Sequence, residues 1–113
     1  MIIKPKNRYL LVESSSPLDT SNRAVAEKVL DAIAFEIGAL GYVRANPKIV
    51  QQVGNRAFII RVNRGWEGDL VLALSFIKRV GDMKVGFYTI KTSGTIRKLA
   101  SRFKSVNSSK IPA

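Results

Sequence analysis

Cysteine and histidine are both missing from this 113-residue chain. Their absence excludes a disulfide framework, a Cys/His zinc site, thiol catalysis, a Ser-His-Asp relay and imidazole acid–base chemistry. Acidic residues are scarce: 8 Asp plus Glu stand against 19 Lys plus Arg, a formal charge of +11. Glu27/Asp31 and Glu67/Asp69 are close in sequence, but neither pair has metal-site company, and both read as solvated polar faces. No apolar run approaches the roughly 18–20 residues of a membrane span. Met1-Ile2-Ile3-Lys4-Pro5-Lys6 also lacks the apolar core and small-residue cleavage site of a signal peptide. A cytoplasmic protein with no membrane partner is therefore expected.

What is present suits one ordinary soluble domain. The chain is 46% hydrophobic and 24% charged, and at this length about two-thirds of the unfolded surface can be buried without a metal or disulfide. Residues 1–104 are expected to form a single α/β domain and 105–113 a disordered basic tail. The charge is placed unevenly. Asp82 is the last acid, and Lys84, Lys91, Arg97, Lys98, Arg102, Lys104 and Lys110 follow it unopposed. A field of this sign attracts a polyanion, and nucleic acid is the commonest one inside a cell; simple solubility is the alternative.

Element signals follow in a clear order. Residues 8–13 read as a strand ended by Ser14-Ser15-Ser16-Pro17. Val25, Val29, Ile33, Ile37 and Leu40 recur at helical steps, with Asp19, Thr20 or Ser21 as cap and Gly41 as terminator. Residues 48–53 and 56–62 read as a hairpin about Gly54-Asn55, with Pro47 confining the first strand to an edge. A second helix is expected over 66–80, broken by Gly81-Asp82, then a strand over 83–92 and a last helix over 95–104. This β-α-β-β-α-β order plus a helix predicts an α+β, ferredoxin-like sandwich of the RNA-recognition-motif type, with two helices on one face of the sheet and the other face available.

The last helix carries the strongest binding signal. Ile96, Leu99 and Phe103 form an apolar line, while Arg97, Lys98, Arg102 and Lys104 lie away from it. Ser93-Gly94-Thr95 puts hydroxyls and a flexible glycine where free N–H groups attract phosphate. An ordinary capped basic helix would look the same. In residues 56–62, alternation puts Phe58, Ile60 and Val62 on one face, more suited to core than to base stacking, and turns Arg61 the other way toward phosphate or a surface ion pair. Tyr9, Phe87 and Tyr88 are candidate stacking residues, Gly86 is a candidate bulge, and Trp66 reads as a cap on the core or a partner anchor. An acylphosphatase-like reading, a stand-alone phosphate-cleaving enzyme, is weak, because the first strand is followed by serines and proline rather than a glycine-rich loop with arginine.

Three stretches in this order resemble the small α/β subunit family of archaeal ribonuclease P known as component 2, related to a eukaryotic subunit of the same enzyme. They are Lys6-Asn7-Arg8-Tyr9-Leu10, then Arg61-Val62-Asn63-Arg64 leading to Ala73-Leu74, and Ser93-Gly94-Thr95-Ile96-Arg97-Lys98-Leu99 followed by Phe103. The likeness spans residues 6–104. It implies a non-catalytic protein subunit of an endoribonuclease whose RNA uses magnesium ions to remove the 5′ leader from precursor tRNA. The protein would bind that RNA, meet precursor tRNA indirectly, pair with the TIM-barrel component 3 and bind no cofactor itself. Arg61, Arg64, Ser93, Thr95, Arg97, Lys98, Arg102 and Lys104 are then the expected RNA contacts. Another ribonucleoprotein subunit on this fold, such as a ribosomal protein, is the alternative.

Overall fold

In a computed structural model, residues 7–94 are described. Strand β1 (Asn7–Ser14) leads into helix α1 (Arg23–Ala45), the hairpin β2 (Lys48–Val53) and β3 (Ala57–Asn63), and helix α2 (Glu67–Phe76). A short hairpin, β4 (Arg79–Val80) and β5 (Met83–Lys84), precedes β6 (Phe87–Ser93). The main sheet runs β2-β3-β1-β6 with every neighbouring pair antiparallel. This is the ferredoxin-like α+β arrangement that the element order predicts, and β2, following Pro47, occupies an edge. The last helix and tail expected over 95–113 fall outside the described residues.

Alternation sorts the sheet into two faces. Leu10, Val12, Phe58, Ile60 and Val62 are fully buried against Val29 and Ile33 of α1 and Leu70 and Leu74 of α2. Burying such side chains contributes about 1.5–3 kcal/mol each. Phe87 belongs to this core, meeting Phe58 edge-on with ring centroids 5.8 Å apart, so it is no stacking platform for bases. Trp66 packs on the same cluster, in keeping with its reading as a core cap. The opposite face was expected to lie open, yet Leu11, Ala57 and Ile59 are fully buried there, with Val53, Tyr9 and Ile90 around them. Its centre is aliphatic and closed, not aromatic and open.

Four boundaries differ from the sequence reading, each for a local reason. Asn22 caps α1, its side chain accepting from the Ala24 N–H at 2.9 Å. Thr20 cannot do so because it is buried and donates to Gln52 instead. Gly41 does not end α1; Asn46 does, at φ 47°, ψ 56°, its N–H donating to the Tyr42 carbonyl. The interruption lies earlier, at Gly38 (φ 79°, ψ 163°). That backbone conformation is almost confined to glycine, and it throws the apolar stripe out of phase, so Leu40 is exposed while Tyr42 and Ala45 face the core.

The second helix stops at Phe76, not Val80, because the two-residue Gly81-Asp82 turn closes β4 on β5. Ile77 and Val80 are buried in extended chain, a pattern that three-residue spacing had attributed to a helix. The last strand accordingly begins at Phe87 rather than at residue 83. The irregularity expected at Gly86 lies instead in the β1–β6 pairing, where Leu11 faces Lys91 and Val12 faces Thr89.

Candidate nucleic-acid interface

The sequence-predicted site residues that are described gather at one end of the sheet, where β1 and β2 begin and β3 and β6 end. Asn7 faces Asn63 and Tyr9 faces Ser93 across the strands. Lys48 pairs with Arg61, and Arg61 with Tyr9, so Lys48, Arg61, Tyr9 and Ser93 form a transverse row on the face away from the helices. Arg64 is exposed in the turn just beyond β3. Arg44 stands beside it, its carbonyl accepting from Asn63 Nδ2 at 2.8 Å.

The Lys48–Arg61 juxtaposition depends on a defect in the hairpin. From Val53 opposite Ala57, an unbroken ladder runs through Gln51 opposite Ile59 and would carry Lys48 to Val62, on the helix side. The register slips by one between Ile49 and Gln51, and the extra residue, Val50, turns Lys48 onto the opposite face beside Arg61. Such a bulge re-aims every side chain beyond it. Without that slip the cation would sit over the core.

Two cations directly opposite across a ladder have Cβ atoms about 4.5–5.5 Å apart and repel one another. Among the described residues, the ion pairs are Arg8–Glu67 at 3.7 Å and Arg23–Glu27 at 3.2 Å; no carboxylate pairs with Lys48, Arg61, Arg64 or Lys91. Glu67 is doubly engaged, its other oxygen accepting from the Gly65 N–H. Arg8 reaches toward Gly94, just beyond the end of β6. A polyanion laid here would satisfy charges that the protein itself leaves unbalanced, while half-buried Tyr9 offers a ring next to them.

Arg61, Arg64 and Ser93 are thus brought together, although Ser93 is half-buried and already engaged in a contact of its own. Thr95, Arg97, Lys98, Arg102 and Lys104 lie outside the described residues. Sequence reasoning missed Lys48, because alternation alone cannot reveal a bulge, and undervalued Arg8 and Arg44. Tyr88 is exposed at the opposite end of β6, opposite Glu13, away from the cationic row. Among the described helices, none is long and apolar enough to cross a membrane.

The sheet order and paired helices define a ferredoxin-like α+β protein. The profile of the Rpp14/Pop5 family matches residues 8–104, and the chain belongs to that family. Among similar curated proteins is ribonuclease P protein component 2 of Thermococcus kodakarensis, 28% identical over 102 residues, covering 89% of this chain and 85% of the relative. Proteins of the same name from Methanocorpusculum labreanum and Methanoculleus marisnigri are 27% and 33% identical; the matches cover 88% and 92% of this chain and 67% and 65% of those relatives. A chain in a structure of yeast ribonuclease MRP superposes with a TM-score of 0.61 at 10% identity, covering 97% of this chain and 95% of the other, which is a likeness of fold.

Proposed function

We propose that this chain is a protein subunit of ribonuclease P, acting in the cytoplasm, that binds and stabilises the catalytic RNA which removes the 5′ leader from precursor tRNA. The observation that carries this reading is the row of cations without carboxylate partners at the basic end of the sheet, in a member of the Rpp14/Pop5 family. Its physical role is to neutralise phosphates, so that the RNA folds and gathers its magnesium ions against less repulsion. Bond breaking then belongs to the RNA, and the protein contributes no catalytic group. Lys48, Arg61 and Arg64 provide the sheet-borne contacts, with Arg97, Lys98, Arg102 and Lys104 adding to them in the segment that follows Gly94. Precursor tRNA is met through the RNA, and the TIM-barrel component 3 is the protein partner.

Sequencing the RNA that purifies with the full chain tests this reading. Ribonuclease P RNA is the expected species; ribosomal RNA would replace the proposal with a ribosomal role on the same fold. In filter binding, about six engaged phosphates give log affinity a slope of roughly −4 to −5 against log salt. A flat salt series would contradict the electrostatic mechanism.

A further inference from the structure

A second group of unpaired cations lies beyond the other end of the sheet. In the β4–β5 hairpin, Arg79 pairs with Lys84 and Val80 with Met83. Alternation turns Arg79 and Lys84 to one side and Val80 to the other; Val80 is buried in the core, while both cations are exposed. Lys78 is exposed beside them, and its carbonyl accepts from the Val85 N–H at 3.1 Å, which extends the ribbon by one position. Across the turn, the Lys28 side chain lies over Gly81, where a Cβ would come within 3.3 Å of the lysine Cδ. Like charges directly opposite across a ladder repel, and among the described residues no carboxylate lies within ion-pair distance of Lys28, Lys78, Arg79 or Lys84. Glu36 borders the hollow that Lys78 and Arg79 line, and Asp19 and Asp82 border the one that Lys28 lines, so these acids lower the local charge without pairing with it. The outward side of the ribbon is left to Arg79 and Lys84.

We infer that the β4–β5 hairpin is a second phosphate-binding site, engaging a stretch of RNA backbone separate from the one at the Lys48–Arg61 row. The separation follows from the register. Lys84 precedes Phe87, which faces Ser14 at the end of β1, whereas Ser93 faces Tyr9 near its start. The strand from Phe87 to Ser93 spans roughly 20 Å at about 3.3 Å per residue, so no single phosphate serves both ends. An acidic protein segment is the competing ligand. The outward side of the ribbon offers it no apolar anchor of the kind a protein interface buries, since Met83 shares the reverse side with Val80; backbone phosphates need only exposed cations. The inference rests on the RNA binding proposed above and adds a second contact to it. One small domain then holds two parts of a folded RNA at a fixed separation, and each contact raises the effective concentration of the other.

Filter binding of transcribed ribonuclease P RNA to the full chain between 50 and 200 mM salt tests it, with wild type, Arg79→Gln with Lys84→Gln, and Lys48→Gln with Arg61→Gln. Each double variant removes two phosphate contacts and should reduce the salt slope by about 1.4–1.8, so that the affinity lost over this range shrinks by about 10-fold. The hairpin variant should melt no lower than wild type, because a repulsion is removed. Since the chain has no cysteine, Met83→Cys, at a position 42% exposed, and Arg64→Cys can each carry a photo-crosslinker, and their adducts should map to different segments of the RNA. A folded hairpin variant with the full wild-type slope would overturn the second site while leaving RNA binding at the sheet end intact. Met83→Cys adducts that are absent, or that fall on the same nucleotides as those of Arg64→Cys, would overturn it too. A flat salt series for the wild type would overturn both readings together. Loss of binding to purified component 3 by the hairpin variant, with its RNA slope unchanged, would assign the hairpin to a protein ligand instead.

Discussion

Replacing Lys48 by glutamine should move two measurements in opposite directions. In the free protein, Lys48 and Arg61 face one another across the β2–β3 ladder with no carboxylate partner. Removing one of two directly opposed like charges should raise stability by about 0.2–1 kcal/mol. For a domain of this size, half a kcal/mol corresponds to roughly 2–4 °C in Tm. The gain should vanish when Arg61 is already glutamine, so a double-mutant cycle isolates the repulsion. On RNA, the same change removes a phosphate contact and should reduce the salt slope by about 0.7–0.9, and the affinity lost between 50 and 200 mM salt should shrink by about 3-fold. Filter binding over that range, beside urea titrations of the free protein, supplies both numbers. A Lys48→Gln protein that melts lower than wild type, or keeps the full salt slope, would refute the argument that this pair is held together for an anion.

Three further outcomes test the fold beneath the site. Gly38→Ala should destabilise by more than 1 kcal/mol in urea, the reverse of the gain expected for alanine in a regular helix interior, because φ 79° and ψ 163° exclude an L side chain. Phe58→Ala should cost about 3–5 kcal/mol, since the ring is fully buried between both helices and the sheet and meets Phe87 edge-on; a loss below 1 kcal/mol by the same titration would contradict that packing. Burial, assisted by Asp31, raises the Tyr42 phenol above its ordinary value of about 10. The unfolded chain therefore releases this proton first, and stability should fall as pH rises from about 10 through the folded value. Tyr42→Phe should flatten that alkaline decline, measured by melting at a series of pH values.

The strand order was legible because each main strand carries its own signal: aromatic and β-branched residues in β1 and β3, Pro47 before an edge, and Gly54 at a hairpin. Phe58, Ile60 and Val62 read correctly as core from alternation alone. Helix ends were harder, since Gly38, Gly41 and Asn46 compete within one apolar stripe, and backbone angles rather than composition decide among them. Ile77 and Val80 satisfy a helical period and a short hairpin equally, so only the flanking Gly81-Asp82 turn favoured the second. Arg61 and Arg64 were recognisable as outward cations. Lys48 was not, because its facing depends on one extra residue that strict alternation does not contain.

That extra residue joins fold to function. A hairpin in perfect register would bury Leu11 and Ile59 on the far face just as well, but it would direct Lys48 toward the helix layer and leave Arg61 beside Ile49. Inserting Val50 costs a ladder position at an edge, where irregularity is least expensive, and it draws a second cation across to the first. The repulsion so created is tolerable at the sheet margin, where water screens it, and is relieved when a phosphate lies between the two groups. One slip in one edge strand thus sets two cations side by side at one end of the sheet, the arrangement on which the proposed RNA contact rests.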